Sequence, residues 1–420
     1  MQRFLIALVA LSIFSCTQKE SSNLSYNEIL HEFQSITAEN AEFWGEDLYG
    51  PIILVDPESR KFYANENDLD ENFTKENNLY TGLLPDSLNI ANTGFDWGGK
   101  RWTMLKLPLP ENIHKTYGLL AHESFHRIQP ELGLPMKEGD NSHLDSYEGR
   151  ILMRLELNAL VKALKSGNTV IQTEHIKDAL LFRQRRQYSD EIASSENSLE
   201  INEGIAEYTG LMYSQRNDQQ VRDYLVNRLT EYSASDSFVR SFAYNTTPVY
   251  GYLLSIQEPY WHHKLDTNSN LTHVFVDAYK SSNNETASWT KLAIRYDYEQ
   301  IESEEHKREQ ERIETIASLK KQFSDNALEL PFMQMNISFN PGEVIALENM
   351  GMVYPNIRVT DKWGILNVTD GALLDKNWGG ITVSKVTDVS DSLIVGSGWD
   401  LRLNEGWALS ENQKSIVQNK

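Results

Sequence analysis

Cysteine is almost missing from this chain: Cys16 is the only one in 420 residues, so no internal disulfide can form. Positive charge is scarce too. Lysine and arginine number 39 against 60 aspartates and glutamates, a formal net charge of -21. That balance excludes a nucleic-acid binder, whose affinity rests on basic faces meeting phosphates. It also argues against a surface held to anionic lipid by charge alone. Beyond the amino end no apolar run approaches the roughly 20 residues needed to span a bilayer. Internal repeats and long low-complexity tracts are absent as well. What remains, 40% hydrophobic and 24% charged, is the composition of a soluble globular protein, and its length suits two or three domains.

The amino end departs from this texture. Met1-Gln2-Arg3 brings one positive charge, Phe4 to Phe14 is apolar, and Ser15-Cys16 follows. A charged start and an apolar core too short for a membrane helix predict an export signal over residues 1–16. A small residue and then Cys directly after such a core resembles the processing site of bacterial lipoproteins. That resemblance implies cleavage before Cys16, acylation of its thiol, and a lipid anchor in the bacterial cell envelope. Residues 17–25 then read as a polar tether.

Periodicity divides the remainder into three parts. Over 26–110, residues 24–46 carry apolar positions at helical spacing, Pro51 to Val55 suits a buried strand with Arg60 to Ala64 as hairpin partner, and residues 65–78 read as a loop. Phe95 to Leu107 places a Gly-Gly turn before an alternating strand. Over 111–331 the pattern is helical: 112–129 stopped by Pro130, 144–166 capped by Gly167, 174–193, 199–214, 218–233, a short helix from Pro248 to Ile256, and a charged amphipathic helix over 302–323. Over 332–420 short β-type runs alternate with Gly, Asn and Asp. The expected fold is α+β, a mainly helical domain with N-terminal strands and a small C-terminal β-rich domain.

His122-Glu123-Ser124-Phe125-His126 lies inside the helix expected over 112–129. Side chains four apart stand one above the other on a helix, so both imidazoles can face one metal ion, with Glu123 beside them as a general base. A second acidic pair, Glu203 and Glu207, is also one turn apart. One of these carboxylates could complete a three-ligand site, while the other receives the N–H of a ligating histidine.

The two motifs together resemble the gluzincin metallopeptidases, the thermolysin-like and zinc aminopeptidase enzymes. The resemblance rests on His122-Glu123-x-x-His126 and on Asn202-Glu203-Gly204-Ile205-Ala206-Glu207, and covers little of the chain besides. It implies a zincin-like fold, Zn2+ as cofactor, and His122, His126 and Glu203 as ligands. It further implies Glu123 as base, Glu207 behind a zinc-bound histidine, and a peptide or protein as substrate. The 76 residues between His126 and Glu203 exceed the gap in many of these enzymes. Glu156, and after it Glu200, are rival third ligands.

Such an enzyme also implies a strand beside the zinc helix that holds substrate, for which Arg101 to Leu107 is placed. It needs a donor to the oxyanion as well. Tyr244, Tyr250, His262 and His263 follow the third ligand, and Tyr250 is the preferred choice. His143 and Asp145 lie near the motif without an evident role. Two other functions fit the same residues: a binding or structural lipoprotein that keeps a zinc site, and a zinc hydrolase acting on an ester, epoxide or cell-wall amide. Oligomeric state leaves no trace in the sequence.

Overall fold

The structure is a computed structural model and describes residues 24–281, 289–339, 344–347, 349–390 and 393–418. The expected export signal, Cys16 and most of the tether lie outside these residues. Two compact units divide the chain, Met1–Ser303 and Glu304–Lys420. No helix among the described residues is long and apolar enough to cross a membrane.

The first unit opens with α1 (Tyr26–Glu39), shorter than the expected 24–46 because Asn40 caps it and turns follow. Ser25 and Glu28 close a reciprocal capping box at its start, satisfying two otherwise orphan N–H groups. A six-stranded sheet comes next: β1 (Ile52–Val55), β2 (Lys61–Ala64), β3 (Thr74–Glu76), β4 (Leu79–Leu83), β5 (Thr93–Trp97) and β6 (Lys100–Lys106), in the order β3-β4-β2-β1-β6-β5. β3 falls in the stretch expected to be loop. Only β1 and β6 pair in parallel. Because strand side chains alternate, Ile52 and Leu54 enter the core shared with the helices, while Ile53 and Val55 join Phe62, Trp102 and Met104 on the opposite face.

The helical part begins with α2 (Ile113–Ile128). Asn112 accepts from the Lys115 N–H at its start, and Pro130 follows at its end. α3 (Tyr147–Lys165) ends at Ser166 in extended conformation, so Gly167 is not its cap. The single helix expected over 174–193 is two, α4 (Thr169–Arg186) and α5 (Asp190–Leu199), because the Ser189 hydroxyl accepts from Ile192 N–H and starts a new helix. α5 runs through one π-helical turn, Glu200–Gly204, into α6 (Ile205–Met212). After α7 (Asp218–Tyr232), α8 (Phe242–Ser255) begins six residues before the expected Pro248 and carries that proline in its interior. Completing the unit are α9 (Leu271–Tyr279), α10 (Trp289–Ala293) and the first turns of α11 (Tyr298–Gln322).

Below the surface of this helical part, Arg183 and Arg186 are fully desolvated among Glu156, Glu196 and Glu200. Arg183 Nε donates to Glu156 at 3.0 Å and its Nη2 to Glu200 at 2.6 Å; Arg186 Nε donates to Glu196 at 2.8 Å. The Arg186 charge draws Glu196 well below the ordinary carboxylate range, although burial alone would raise it. Burial outweighs Arg183 at Glu200, whose pKa is raised, as expected where three carboxyls face two guanidinia.

The second unit is β-rich. Its strands are β7 (Leu328–Pro331), β8 (Asn336–Phe339), β9 (Ile345–Leu347), β10 (Gly351–Tyr354), β11 (Ile357–Asp361), β12 (Gly364–Val368), β13 (Ala372–Asp375), β14 (Gly380–Val383), β15 (Val386–Val389), β16 (Leu393–Gly396), β17 (Trp399–Leu403), β18 (Trp407–Leu409) and β19 (Ile416–Gln418). They form antiparallel sheets ordered β7-β14-β13-β10-β9 and β15-β16-β17-β12-β11-β8, with a short β18-β19 hairpin. Leu330, Leu374 and Val383 from the first sheet and Val359, Leu366 and Leu401 from the second share one core. The chain is thus mixed α+β with a β-rich carboxyl end.

Candidate metal centre

Two glycines set the site. α2 and α6 cross where Gly118 meets Gly210; a Cβ on Gly210 would lie 2.6 Å from the Gly118 carbonyl oxygen. Without side chains there the backbones touch, and the next turn of each helix comes within side-chain reach of the other. Gly204 plays the same part toward α8, since a Cβ there would sit 2.4 Å from Thr247 Oγ1.

This approach places His122, Glu123 and His126 of α2, all buried, opposite Glu203 on the π turn and Glu207 on α6. His122, Glu123 and His126 form a group able to hold a metal ion. The two imidazole Nε2 atoms are 3.2 Å apart, and Glu203 Oε2 lies 3.4 Å from the first and 3.3 Å from the second. π turns within helices recur at functional sites, and this one carries Glu203.

Both histidines are held from behind. His122 Nδ1 donates to Glu207 Oε2 at 3.0 Å, since a carboxylate only accepts, and this turns Nε2 toward the centre. His126 Nδ1 meets Gln129 Oε1 at 2.9 Å. The Gln129 amide nitrogen faces the Ile201 carbonyl and Asn202 Oδ1, which sets its oxygen as the acceptor and turns His126 Nε2 toward the centre as well. Arg228 of α7 pairs with Glu207, and Asn245 holds the Arg228 Nε at 2.9 Å. Gln129, Arg228 and Asn245 were not singled out in the sequence. Gln129, three residues after His126, is the one that spacing could have suggested.

The electrostatics follow from this packing. Burial pushes Glu203 up, but hydrogen bonds from His122, His126 and Tyr244 prevail and hold it far below the usual range. Glu207, likewise opposed by burial, is brought down to about 2 chiefly by the Arg228 charge. Burial lowers the His122 imidazole, yet Glu203 and Glu207 carry it to about 10: the cluster favours a cation. Glu123 is raised by burial despite its histidine neighbours, and its Oε2 finds no hydrogen-bond partner.

A cavity of about 310 Å³ opens over these groups, bordered by Asn92, Thr93, Met136 and Tyr244. Burial, with the nearby Glu203 carboxylate, raises the Tyr244 pKa strongly. Tyr250, the preferred oxyanion donor, lies elsewhere. Its hydroxyl donates to Glu156 at 2.9 Å and it has no exposed surface. The two tyrosines are six positions apart on α8, so they cannot share a face. Glu156 and Glu200, the rival ligands, are taken up by Arg183 and Arg186. His262 and His263 both meet the Phe43 carbonyl, at 2.5 and 2.6 Å. His143 bonds Glu196, and Asp145 receives the Phe238 N–H.

The strand expected to border the cavity is also corrected. β6, which holds Arg101 to Lys106, is interior, flanked by β1 and β5. β5 is the edge strand, and Thr93 at its start lines the cavity. Close approach of β5 to α2 explains this, since a Cβ on Gly94 would be 3.2 Å from the Arg127 backbone.

No protein-family profile, curated protein or solved structure matches the chain.

Proposed function

We propose that this protein is a zinc-dependent hydrolase, a gluzincin-like metallopeptidase, in which His122, His126 and Glu203 hold the ion. One observation carries the reading: two imidazole Nε2 atoms and one carboxylate oxygen stand 3.2, 3.3 and 3.4 Å apart. Donors bound at about 2.0–2.1 Å to a tetrahedral zinc ion lie about 3.3 Å from one another, so the triangle fits. Two nitrogens and one oxygen suit zinc among divalent ions, and three protein donors are the number that catalytic sites use. Glu123 is the other carboxylate within reach, but its raised pKa suits proton transfer better than permanent ligation.

Zinc there would polarise a carbonyl and acidify a water molecule. The chain's own residues supply the rest. Glu123, buried and with one oxygen unpartnered, accepts a proton from the attacking water and returns it to the leaving amine. The Tyr244 hydroxyl, at the cavity wall, donates to the oxyanion as the carbonyl becomes tetrahedral. Glu207 and Gln129 hold the two imidazoles in one tautomer throughout. The open edge of β5 gives an extended peptide a strand to pair with. The lipoprotein-like amino end supports a location in a bacterial cell envelope, tethered through Cys16.

Metal content and hydrolysis test this together. Residues 17–420 should bind about one zinc per chain, lose it on His122→Ala or Glu203→Ala, and keep it on Glu156→Ala. Glu123→Gln should retain zinc and lose peptide hydrolysis. Full activity in zinc-loaded Glu123→Gln would refute the mechanism.

A further inference from the structure

A second cavity, about 230 Å³, adjoins the first and shares Leu119, His122 and Glu207 with it. Its charged walls are unlike the rest of this acidic protein. Lys115, Arg216 and Arg228 line it, and Glu207 is its one carboxylate. Arg228 is spoken for, bonded to Glu207, Asn245 and Tyr224. Arg216 is not. It stacks on the Tyr224 ring with its guanidinium carbon 4.2 Å from the centroid, and its only hydrogen bond among the described residues is a long one, 3.5 Å, to the His114 carbonyl. Among the described residues no carboxylate is within ion-pair distance of it.

A half-buried guanidinium with its carbon skeleton fixed and its fork unused is a recognition element for a planar anion. Burial and the neighbouring Arg228 lower the Arg216 pKa, so the site already bears an unfavourable charge that an incoming anion relieves. The position next to His122 restricts that anion to part of a molecule whose other end sits over the metal centre.

We infer that Arg216 forms a carboxylate-binding subsite, which selects substrates carrying a free C-terminal carboxylate or an acidic side chain next to the bond cleaved. This rests on the hydrolase reading for the word substrate, but the anion site itself does not. Lys115, exposed at the rim, adds charge without geometry, whereas Arg216 supplies the paired donors.

The test is binding, measured by calorimetry on the full-length zinc-loaded Glu123→Gln chain so that ligands survive. Three probes are used: an N-acetylated tripeptide with a free terminal acid, the same peptide as its amide, and the amide with glutamate as last residue. The acid, the glutamate amide or both should bind at least about tenfold tighter than the neutral amide, a gain of the size expected for one charge-assisted pair. Preference for the acid identifies the C-terminus as the source, and preference for the glutamate amide identifies a side chain. Adding Arg216→Gln should bring the ratios toward one, and Arg216→Lys should keep part of them. Equal binding of all three, no binding of either anionic probe, or a preference that survives Arg216→Gln overturns the inference. The two readings fail separately: a wild-type chain that cleaves no peptide yet prefers the acid loses the hydrolase and keeps the subsite. One that cleaves peptides and binds all three probes alike does the reverse.

Discussion

Tyr244 stacks on His122, ring centroids 5.9 Å apart and planes 7° from parallel, and the Glu203 carboxylate beside it helps to raise its pKa. The stack fixes the ring, and the carboxylate orients the O–H toward the centre of the site. Tyr244→Phe keeps the stack and removes only the donor. If the phenol stabilises the oxyanion, kcat should fall about 10²–10³-fold, as for other single oxyanion donors, with zinc content unchanged. Steady-state kinetics with metal analysis on the same sample decides this; a fall in zinc content instead would make Tyr244 a support for Glu203.

Glu207 and Gln129 hold the outer nitrogens of the two histidines. Glu207→Gln and Gln129→Leu should each weaken zinc affinity about 10–100-fold, the usual effect of losing such a partner. Competition with a chromogenic chelator measures it. Unchanged affinity in both variants would mean that α2 alone orients the rings.

Arg183 faces Glu156 and Glu200 with no exposed surface. Arg183→Met fills similar space but strands Glu200 in the core without an ion partner, while Glu156 keeps Arg186. The expected cost is about 3–5 kcal/mol in urea unfolding, the range for breaking a buried pair from one side. Because Glu200 belongs to the turn that carries Glu203, zinc affinity should fall as well.

His262 gives a pH dependence with a definite sign. Burial, aided by His263, lowers its pKa from 6.5 to about 4, although its bond to Phe43 favours the charged form. Above pH 6.5 it is neutral folded or unfolded, and its full contribution to stability is present. As pH falls from 6.5 toward 4 the unfolded chain takes up a proton that the native chain refuses, so stability is lost. Between pH 6.5 and 5 the loss reaches roughly 2 kcal/mol, taking about 1.4 kcal/mol per unit. His262→Gln does not titrate and should show a flatter Tm over that interval than the wild type. Parallel slopes would place the effect elsewhere.

Local rules made half of this site legible. The helical pattern over 112–129 with Pro130 as stop defines α2, and the two histidines follow on one of its faces. Glu203 and Glu207 were readable for the same reason, being one turn apart. Tyr244 was readable only as one of four candidates. Pro248 looks like a helix start, and with the helix begun there Tyr244 has no phase to compare with that of Tyr250. β5 and β6 lie on the two sides of one Gly-Gly turn, and which is the edge depends on β1 pairing in parallel with β6, a contact spanning half a hundred residues. Partners such as Arg228 and Glu156 meet their ions across distant helices, and no spacing in the chain records that.

The π turn at Glu200–Gly204 faces two ways. Glu200 meets the permanent cation Arg183 inside, and Glu203 meets the metal centre outside. A guanidinium built into the chain therefore orders this turn before any ion arrives, and the ligand set is assembled during folding rather than by loading. Stripping zinc should abolish turnover while leaving the near-ultraviolet circular dichroism of the folded chain in place. Collapse of that signal on chelation would mean that the ion completes the fold. If the signal persists, the proposed hydrolase would be switched on and off by metal supply without being exposed to proteolysis.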